Sequence, residues 1–282
     1  MRSPTSTTKR AVDMSMAEVA PVPVGAPAPQ ASLLTVDGVT LQYGTRSVVV
    51  RATYRVSFEV RRGDRFILLG PSGCGKSTLL KAVGGYLAPT EGEIRLHGEV
   101  IRRPNPDRMM VFQEFDQLLP WKTVLQNVMF PMIVKRKLRA SEAKDRAMAY
   151  IVKVGLKEFA NAYPHTLSGG MKQRVAIARG MAMEPDILLM DEPFAALDAL
   201  TRRRMQEELL QLWGGTNFTL MFVTHSIQEA VILGNRILVL SPHPGQVRAE
   251  LRGVKDFHAD GGPLVERIHQ LLFPGTETTG GH

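Results

Sequence analysis

The stretch "RFILLGPSGCGKST", residues 65–78, decides the fold class of this 282-residue chain. It opens with an apolar run that stops at Gly70, a pattern typical of a strand buried on both faces. The rest fits the spacing G-x-x-x-x-G-K-[ST], and "STLLKAVGGYL", from Ser77, predicts a helix directly after the loop. A glycine-rich loop between a strand and a helix presents backbone amides and a helix N-terminus to a phosphate group. The stretch therefore predicts a nucleotide site on a parallel sheet.

The residue types in this loop predict which groups contact the nucleotide. Lys76 is expected to reach the β- and γ-phosphates, and the Ser77 hydroxyl is expected to ligate Mg²⁺. Cys74, the only cysteine of the chain, is interpreted as a small filler, and the alternative is a thiol whose pKa the helix N-terminus lowers. The residues expected to bind nucleotide here are Gly70, Pro71, Ser72, Gly73, Cys74, Gly75, Lys76, Ser77 and Thr78.

A second apolar run, "DILLMDE" at 186–192, supplies the carboxylates that such a site needs. Adjacent residues on a strand face opposite ways, but at the end of a strand both side chains can turn toward one site. We expect Asp191 to hold Mg²⁺ through water. Glu192 is then placed to act as the general base that polarises the attacking water.

The pattern along the chain divides it into three parts. Residues 1–31 are rich in Pro and Ala and predict a disordered tail, residues 32–250 form a nucleotide-binding domain, and residues 251–282 form a C-terminal helix and tail. Within the domain, "LLTVDGVTLQY" and "VSFEV" predict antiparallel strands, "TLMFVTH" predicts another buried strand, and about 114–167 predicts helices. The expected fold class is α/β: a P-loop (RecA-like) parallel-sheet core with an N-terminal antiparallel β-subdomain and an inserted α-helical subdomain.

Composition excludes several other classes. Hydrophobic residues make up 44% and charged residues 22%, no apolar run is long enough to span a membrane, and no secretory signal is expected. A single cysteine excludes an intrachain disulfide. The net charge of +8 raises the question of nucleic acid, but the basic residues are dispersed and no aromatic-interleaved motif accompanies them. They are interpreted as solvated faces, and the alternative is contact with an anionic membrane surface or a protein groove, ahead of nucleic acid.

Further motifs follow in an order that resembles the ATP-binding subunit of ABC transporters over about residues 33–250. "LSGGMKQR" at 167–174 looks like the family signature, "AALD" at 195–198 is similar to the D-loop, and "VTH" at 223–225 ends in the switch histidine. "VFQEFDQLLPW" at 111–121 carries a glutamine at the Q-loop position, and "LQYGT" at 41–45 carries the aromatic that stacks on adenine.

The resemblance implies a role for each of these motifs. Gln113 would sense Mg²⁺ and the attacking water, His225 would position that water with Glu192, and Tyr43 would stack on adenine. Residues of the signature and the D-loop would contact the ATP of an opposite subunit. These residues, acting in trans, are Ser168, Gly169, Gly170 and Asp198.

Within the family, "LLPWKTVLQNV" and the methionine at 171 resemble importers of nitrate, sulfonate and taurine. The implied partners are a second ATP-binding subunit in a homodimer, transmembrane permease subunits and, indirectly, a periplasmic or extracellular solute-binding protein. The implied cofactors are ATP and Mg²⁺, and the implied location is peripheral, on the cytoplasmic face of the inner membrane.

Two other functions remain as alternatives. A soluble ABC-type ATPase that acts on nucleic acid or ribosomes would need a long coiled-coil insertion or a second nucleotide domain, and this chain shows neither pattern. A regulatory subunit without turnover is disfavoured because Glu192 and His225 are both present.

Overall fold

The computed structural model describes residues 32–44, 49–113, 117–253 and 262–273, so the predicted tail at 1–31 lies outside the described residues. The strands are β1 (Ser32–Gly44), β2 (Val49–Arg61), β3 (Arg65–Leu69), β4 (Glu91–Leu96), β5 (Glu99–Val100), β6 (Arg108–Val111), β7 (Ile187–Asp191), β8 (Thr219–Thr224), β9 (Arg236–Leu240) and β10 (Val247–Arg252). The helices are α1 (Lys76–Val83), α2 (Val124–Arg136), α3 (Ala140–Lys153), α4 (Gly169–Ala182), α5 (Ala199–Gly214), α6 (Ile227–Leu233) and α7 (Gly262–Leu272).

The strands form two sheets. One is antiparallel, in the order β2-β1-β4-β5. The other has six strands in the order β10-β9-β3-β8-β7-β6, and all its pairs are parallel except the outer pair of β9 and β10. The predicted α/β class is therefore confirmed, with β3, β7 and β8 as neighbours in the parallel sheet.

The parallel sheet is buried on both faces, which explains the continuous apolar runs in its sequence. Side chains of β3 alternate between two cores: Ile67 and Leu69 pack in one, and Phe66 and Leu68 pack in the other. Helices α2 to α7 contribute to the first core, while α1 and the antiparallel sheet contribute to the second. The sheet is thus the middle layer of the molecule.

Helices α2 and α3 lie in the segment predicted to be helical. Thr123 begins α2 with a capping box, in which its hydroxyl accepts from the Gln126 amide while the Gln126 side chain accepts from the Thr123 amide. Helix α7 packs on the first core through Ile268 and Leu272, as its apolar stripe predicted. Among the described residues, no helix combines the length and apolar character needed to cross a bilayer.

Two other segments, residues 52–54 in β2 and the turn at Gly245, pack against the backbone of the loop at 70–75 and are called the clamp. The Gly245 amide donates to the Ala52 carbonyl at 3.0 Å, and the Tyr54 amide donates to the Gly245 carbonyl at 2.9 Å. A Cβ added at Gly245 would lie 2.1 Å from the carbonyl oxygen of Cys74, and one added at Gly75 would lie 2.5 Å from that of Ala52. The loop therefore keeps its shape because β2 and the turn before β10 touch its backbone directly.

Changing Gly245 to Ala should disturb this clamp. The new methyl group collides with backbone, which cannot move aside as a flexible side chain would, so we expect a loss of about 1–3 kcal/mol of stability. Urea unfolding of the purified protein measures this loss.

Gly214→Ala is the matched control, because a Cβ at Gly214, the last residue of α5, meets nothing within 4 Å. That variant should be as stable as the wild type. Equal unfolding midpoints for the two variants would contradict the clamp.

Candidate active site

The predicted site residues come together at the carboxyl edge of the parallel sheet. Because β3, β7 and β8 run parallel as neighbours, the residues that follow them meet at one edge. Strand β3 leads into the loop at 70–75, β7 ends at Asp191, and β8 ends at Thr224, directly before His225. This edge is therefore the candidate active site.

The loop after β3 has the backbone shape that its glycines allow. Gly73 and Gly75 have φ of 79° and 92°, in the left-handed region that favours glycine. The Lys76 side chain is buried, and its ammonium group donates to the carbonyls of Gly70 and Pro71, each at 2.9 Å. The loop thus folds around the lysine and presents the N-terminus of α1 to the cleft.

Ser77 and Asp191 bring two hard oxygen donors together. The Ser77 hydroxyl donates to Asp191 Oδ1 at 2.6 Å. Burial raises the pKa of Asp191, while the hydrogen bond from Ser77 opposes that rise. A buried carboxyl next to a hydroxyl at the foot of a phosphate loop fits Mg²⁺, which prefers oxygen ligands. Among the described residues, no group of three or more His, Cys, Asp or Glu could hold a metal ion.

Glu192 and His225 form the second pair at this edge. His225 Nδ1 lies 2.9 Å from Glu192 Oε2, where a ring N–H donates to the carboxylate. Glu192 has a φ of 42°, which is unusual for a residue with a side chain and breaks the alternation of β7. Asp191 consequently lies against Ser77, and Glu192 Oε1 lies within 3.9 Å of Lys76 Nζ.

A cleft of about 180 Å³ lies over the loop. Tyr43, at the end of β1, is 55% exposed on its wall, a position open to a stacking partner. The residues that line the cleft are Tyr43, Ser72, Gly73, Gly75, Lys76, Ser77, Thr78 and Glu192. The structure therefore brings the predicted aromatic, the loop and the predicted base around one space.

Two predicted residues, Cys74 and Gln113, are not among those that line the cleft. The Cys74 side chain is fully buried in the second core, and burial raises the pKa of its thiol, so the filler interpretation holds and the lowered pKa is wrong. Gln113, two residues after β6, is exposed and is not among the residues lining the cleft.

The stretch predicted to act in trans also lies away from the cleft. Ser168 is exposed and caps α4, its hydroxyl accepting from the Met171 amide at 3.3 Å. Asp198 is exposed and caps α5, where the hydrogen bond from the Thr201 amide lowers its pKa. A Cβ at Gly170 would lie 3.3 Å from the Thr201 methyl group, so the two helix N-termini are neighbours.

Sequence reasoning missed the residues that hold Phe112, next to Gln113. The Gln117 side chain accepts from the Phe112 amide and donates to the Phe112 carbonyl. Arg179, on α4, donates to the Gln117 carbonyl at 2.7 Å and to its side-chain oxygen at 3.3 Å. A signal was available, since Arg179 interrupts the run of small and apolar residues in α4.

Comparisons with known proteins agree with this geometry. The family model described as "ABC transporter" matches residues 53–195. The taurine import ATP-binding protein TauB of Rhizobium johnstonii is 48% identical over 81% of this chain and 88% of its own length. The aliphatic sulfonates import ATP-binding protein SsuB of Bacillus cereus is 42% identical over 76% of this chain and 83% of its own.

Solved structures give the same result. The dimeric structure of the ABC transporter cassette MJ0796 superposes with a TM-score of 0.69 at 34% identity, covering 79% of this chain and all of that one. A post-hydrolysis dimer of the same cassette is bound to ADP and inorganic phosphate and superposes with a TM-score of 0.68. The chain therefore belongs to the ABC transporter family, and it is an ATP-binding subunit with ATPase activity.

The raised pKa of Asp191 predicts an effect of pH on stability. A carboxyl whose pKa is higher in the folded than in the unfolded protein costs stability when it ionises, so the cost is present above the folded pKa and absent below the unfolded one. Asp191→Asn in the ligand-free protein should therefore raise the melting temperature at pH 8, and the gain should shrink as pH falls toward the ordinary pKa of aspartate. Thermal unfolding as a function of pH measures this.

Asp145→Asn, at an exposed position on α3, is the control and should show no such gain. If Asp191→Asn were no more stable than the wild type at pH 8, desolvation would not govern this carboxyl.

Proposed function

We propose that this protein is the ATP-hydrolysing subunit of an ABC importer and drives uptake of a small solute through a separate membrane permease. Relatives named for import of taurine, aliphatic sulfonates and, in Synechocystis, bicarbonate support the importer assignment. The solute belongs to the nitrate, sulfonate and taurine class, which the sequence resemblance favours. The protein acts at the cytoplasmic face of the inner membrane.

One observation carries the catalytic part of the proposal: the hydrogen-bonded Glu192–His225 pair stands beside the phosphate loop. Glu192 is the general base, and a carboxylate in this role contributes about 10²–10⁴-fold to the rate. His225 holds the Glu192 carboxylate in place and positions the attacking water. Lys76 neutralises the charge of the β- and γ-phosphates, and Tyr43 stacks on the adenine.

Mg²⁺ is the proposed cofactor. Ser77 would bind it through its hydroxyl, Asp191 through water, and Gln113 from the loop after β6. When bound, the ion supplies neutralisation of the charge on the phosphate oxygens. The burial of Asp191 beside Ser77 supports this assignment, because a cation would offset the cost of desolvating the carboxylate.

The site is completed by a second copy of the chain. Ser168 and the amides of Gly169 and Gly170 form a helix N-terminus, which favours negative charge, yet the cleft of their own chain is lined by other residues. We assign them, with Asp198, to the γ-phosphate region of the opposite subunit. ATP binding would then close the homodimer and hydrolysis would reopen it.

The permease would dock on an apolar surface of the helical segment, formed by Trp121, Phe130, Ile133 and Val134. Ile133 and Val134 lie three and four residues after Phe130 on α2, so both lie on the same face as Phe130, and all three are exposed. Trp121, just before the cap of α2, is 69% exposed. Exposed large apolar side chains grouped in this way favour a protein contact over solvent. A solute-binding protein would act on the outer side of the permease, and no nucleic acid takes part.

Two substitutions test the shared site together. Glu192→Gln should abolish turnover while ATP still binds, so ATP should convert the monomer into a stable dimer. Adding Ser168→Arg should prevent that dimer, because the guanidinium group would occupy the place of the partner's phosphate. Light scattering coupled to gel filtration measures the dimer, and fluorescent nucleotide measures ATP binding.

Ser141→Arg, an exposed change on α3, is the control in the same Glu192→Gln background and should leave the dimer intact. Loss of ATP binding by the monomeric Ser168→Arg variant would instead place Ser168 in its own cleft. Turnover remaining in Glu192→Gln would remove the assignment of the base.

The permease contact has its own test. Val134→Glu buries a charge if the α2 surface is covered, so it should weaken co-purification with the permease encoded by neighbouring genes and lower solute uptake in cells. Val152→Glu on α3 is the matched control, since Val134 and Val152 are 52% and 51% exposed. Melting temperatures confirm that both variants fold.

Equal co-purification of the two variants would contradict the docking surface. Neighbouring genes that encode no multispanning permease, together with ATPase stimulation by RNA or ribosomes, would favour the alternative of a soluble ABC-type ATPase over an importer.

A further inference from the structure

Glu229, on α6, is a buried acidic residue that has no part in the catalytic roles proposed above. Its side chain is 7% exposed and lies between the end of β8 and helix α5. The Thr224 hydroxyl donates to Glu229 Oε2 at 2.5 Å, and the Gln206 amide donates to Glu229 Oε1 at 3.1 Å. Both carboxyl oxygens are thus engaged by partners from two separate elements.

On one side, Glu229 fixes the residue that precedes His225. Thr224 is the last residue of β8, and while its hydroxyl donates to Glu229 it accepts from the Ser226 amide at 2.9 Å. The Ser226 hydroxyl in turn accepts from the Glu229 amide. The turn that carries His225 is therefore tied at both ends to Glu229.

On the other side, Glu229 contacts the helix that holds the loop after Glu192. Arg202 lies one turn before Gln206 on α5, and its Nε is 4.0 Å from Glu229 Oε1. The Arg202 guanidinium donates to the Leu197 carbonyl at 2.8 Å and to the Phe194 carbonyl at 3.3 Å. Both carbonyls belong to the loop at 192–198, which begins with the proposed base and ends with Asp198.

These contacts close into a ring. It runs from Glu192 along the loop at 192–198 to α5, from α5 through Glu229 to Thr224, and from His225 back to Glu192. We propose that Glu229 is a positioning residue for ATP hydrolysis, which sets the place of His225 and of the loop ending at Asp198 relative to Glu192. This inference rests on the proposed roles of Glu192, His225 and Asp198.

The ring connects Asp198, which is assigned to the dimer interface, with the proposed base Glu192. Asp198 is exposed and assigned to the partner's site, whereas Glu192 lies in the cleft of its own chain. A partner that shifts the loop at 192–198 would move Arg202, which is bound to that loop, and Gln206 on the same helix. Because buried donors and acceptors are costly to leave unpaired, Glu229 and Thr224 follow as a unit.

The test compares variants that keep the size of each side chain but disrupt hydrogen bonds of the ring. Glu229→Gln replaces one accepting carboxylate oxygen by an NH2 group, which donates, so one of the two donor partners loses its acceptor. Thr224→Val removes the hydroxyl that donates to Glu229. Each should lower kcat at least about tenfold, with the KM for ATP within about twofold, because hydrolysis rather than binding loses its geometry. Thr224→Ser, which keeps the hydroxyl, should retain wild-type kcat.

The double variant separates positioning from general loss of structure. If Glu229 and Thr224 act as one unit, Glu229→Gln with Thr224→Val should be no slower than the slower single variant. Glu207→Gln, a half-exposed change on α5 next to Arg203, is the control and should have wild-type kcat. All rates are measured well below the melting temperature of each variant.

Some outcomes would overturn the inference: an unchanged kcat in Glu229→Gln, additive losses in the double variant, or a KM that rises as kcat falls. The arms also separate this inference from the proposed function. Turnover that persists in Glu192→Gln would defeat the assignment of the base. If Glu192→Gln is inactive but Glu229→Gln is fully active, the assignment of the base stands and only the positioning role of Glu229 is rejected.

Discussion

Parallel hydrogen bonding between β3, β8 and β7 is the constraint on which the candidate site depends. The pairing sets Leu69 beside Thr224 and Val223 beside Asp191, so the residues that leave these strands emerge together. Ser77 and Asp191 are far apart in the chain but are within 2.6 Å because of this register. A shift of one residue in either pair would turn the ends of these strands to the opposite faces of the sheet and separate the donors.

The apolar layers on both sides of the sheet make that register the stable one. Alternate side chains of β7 pack in different cores, Leu188 and Met190 in one and Ile187 and Leu189 in the other. The alternation ends at Glu192, whose left-handed φ turns its carboxylate to the side of the cleft. Backbone in this conformation is costly for a residue with a Cβ, and the Glu192 amide is held by the Val223 carbonyl at 3.1 Å. The scaffold thus stabilises a local strain that gives the chain two carboxylates at one edge.

Much of the site was predictable from sequence because its signals are local. The loop at 70–78 can be recognised from its glycines, its lysine and the strand before it. Asp191 and Glu192 can be recognised because they directly follow an apolar run. Strands β4, β5, β6, β9 and β10 were not identified, since short or mixed strands carry no clear period. The burial of Glu229 could not be predicted from the sequence for another reason. Its partner Gln206 is 23 residues away, and an acidic residue in a short helix normally faces solvent.

Burial divides the residues of the proposed site into two groups. Lys76, Asp191 and Glu229 are buried and hydrogen-bonded within the chain, so their positions are set by the fold of one chain. Ser168 and Asp198, by contrast, are exposed residues that cap the N-termini of α4 and α5. An exposed helix N-terminus retains its attraction for an anion, and in the proposed dimer the ATP of the opposite subunit supplies that charge. In the proposed dimer, the catalytic half of the site therefore lies within one chain, and the half assigned to the partner's ATP lies on exposed helix N-termini.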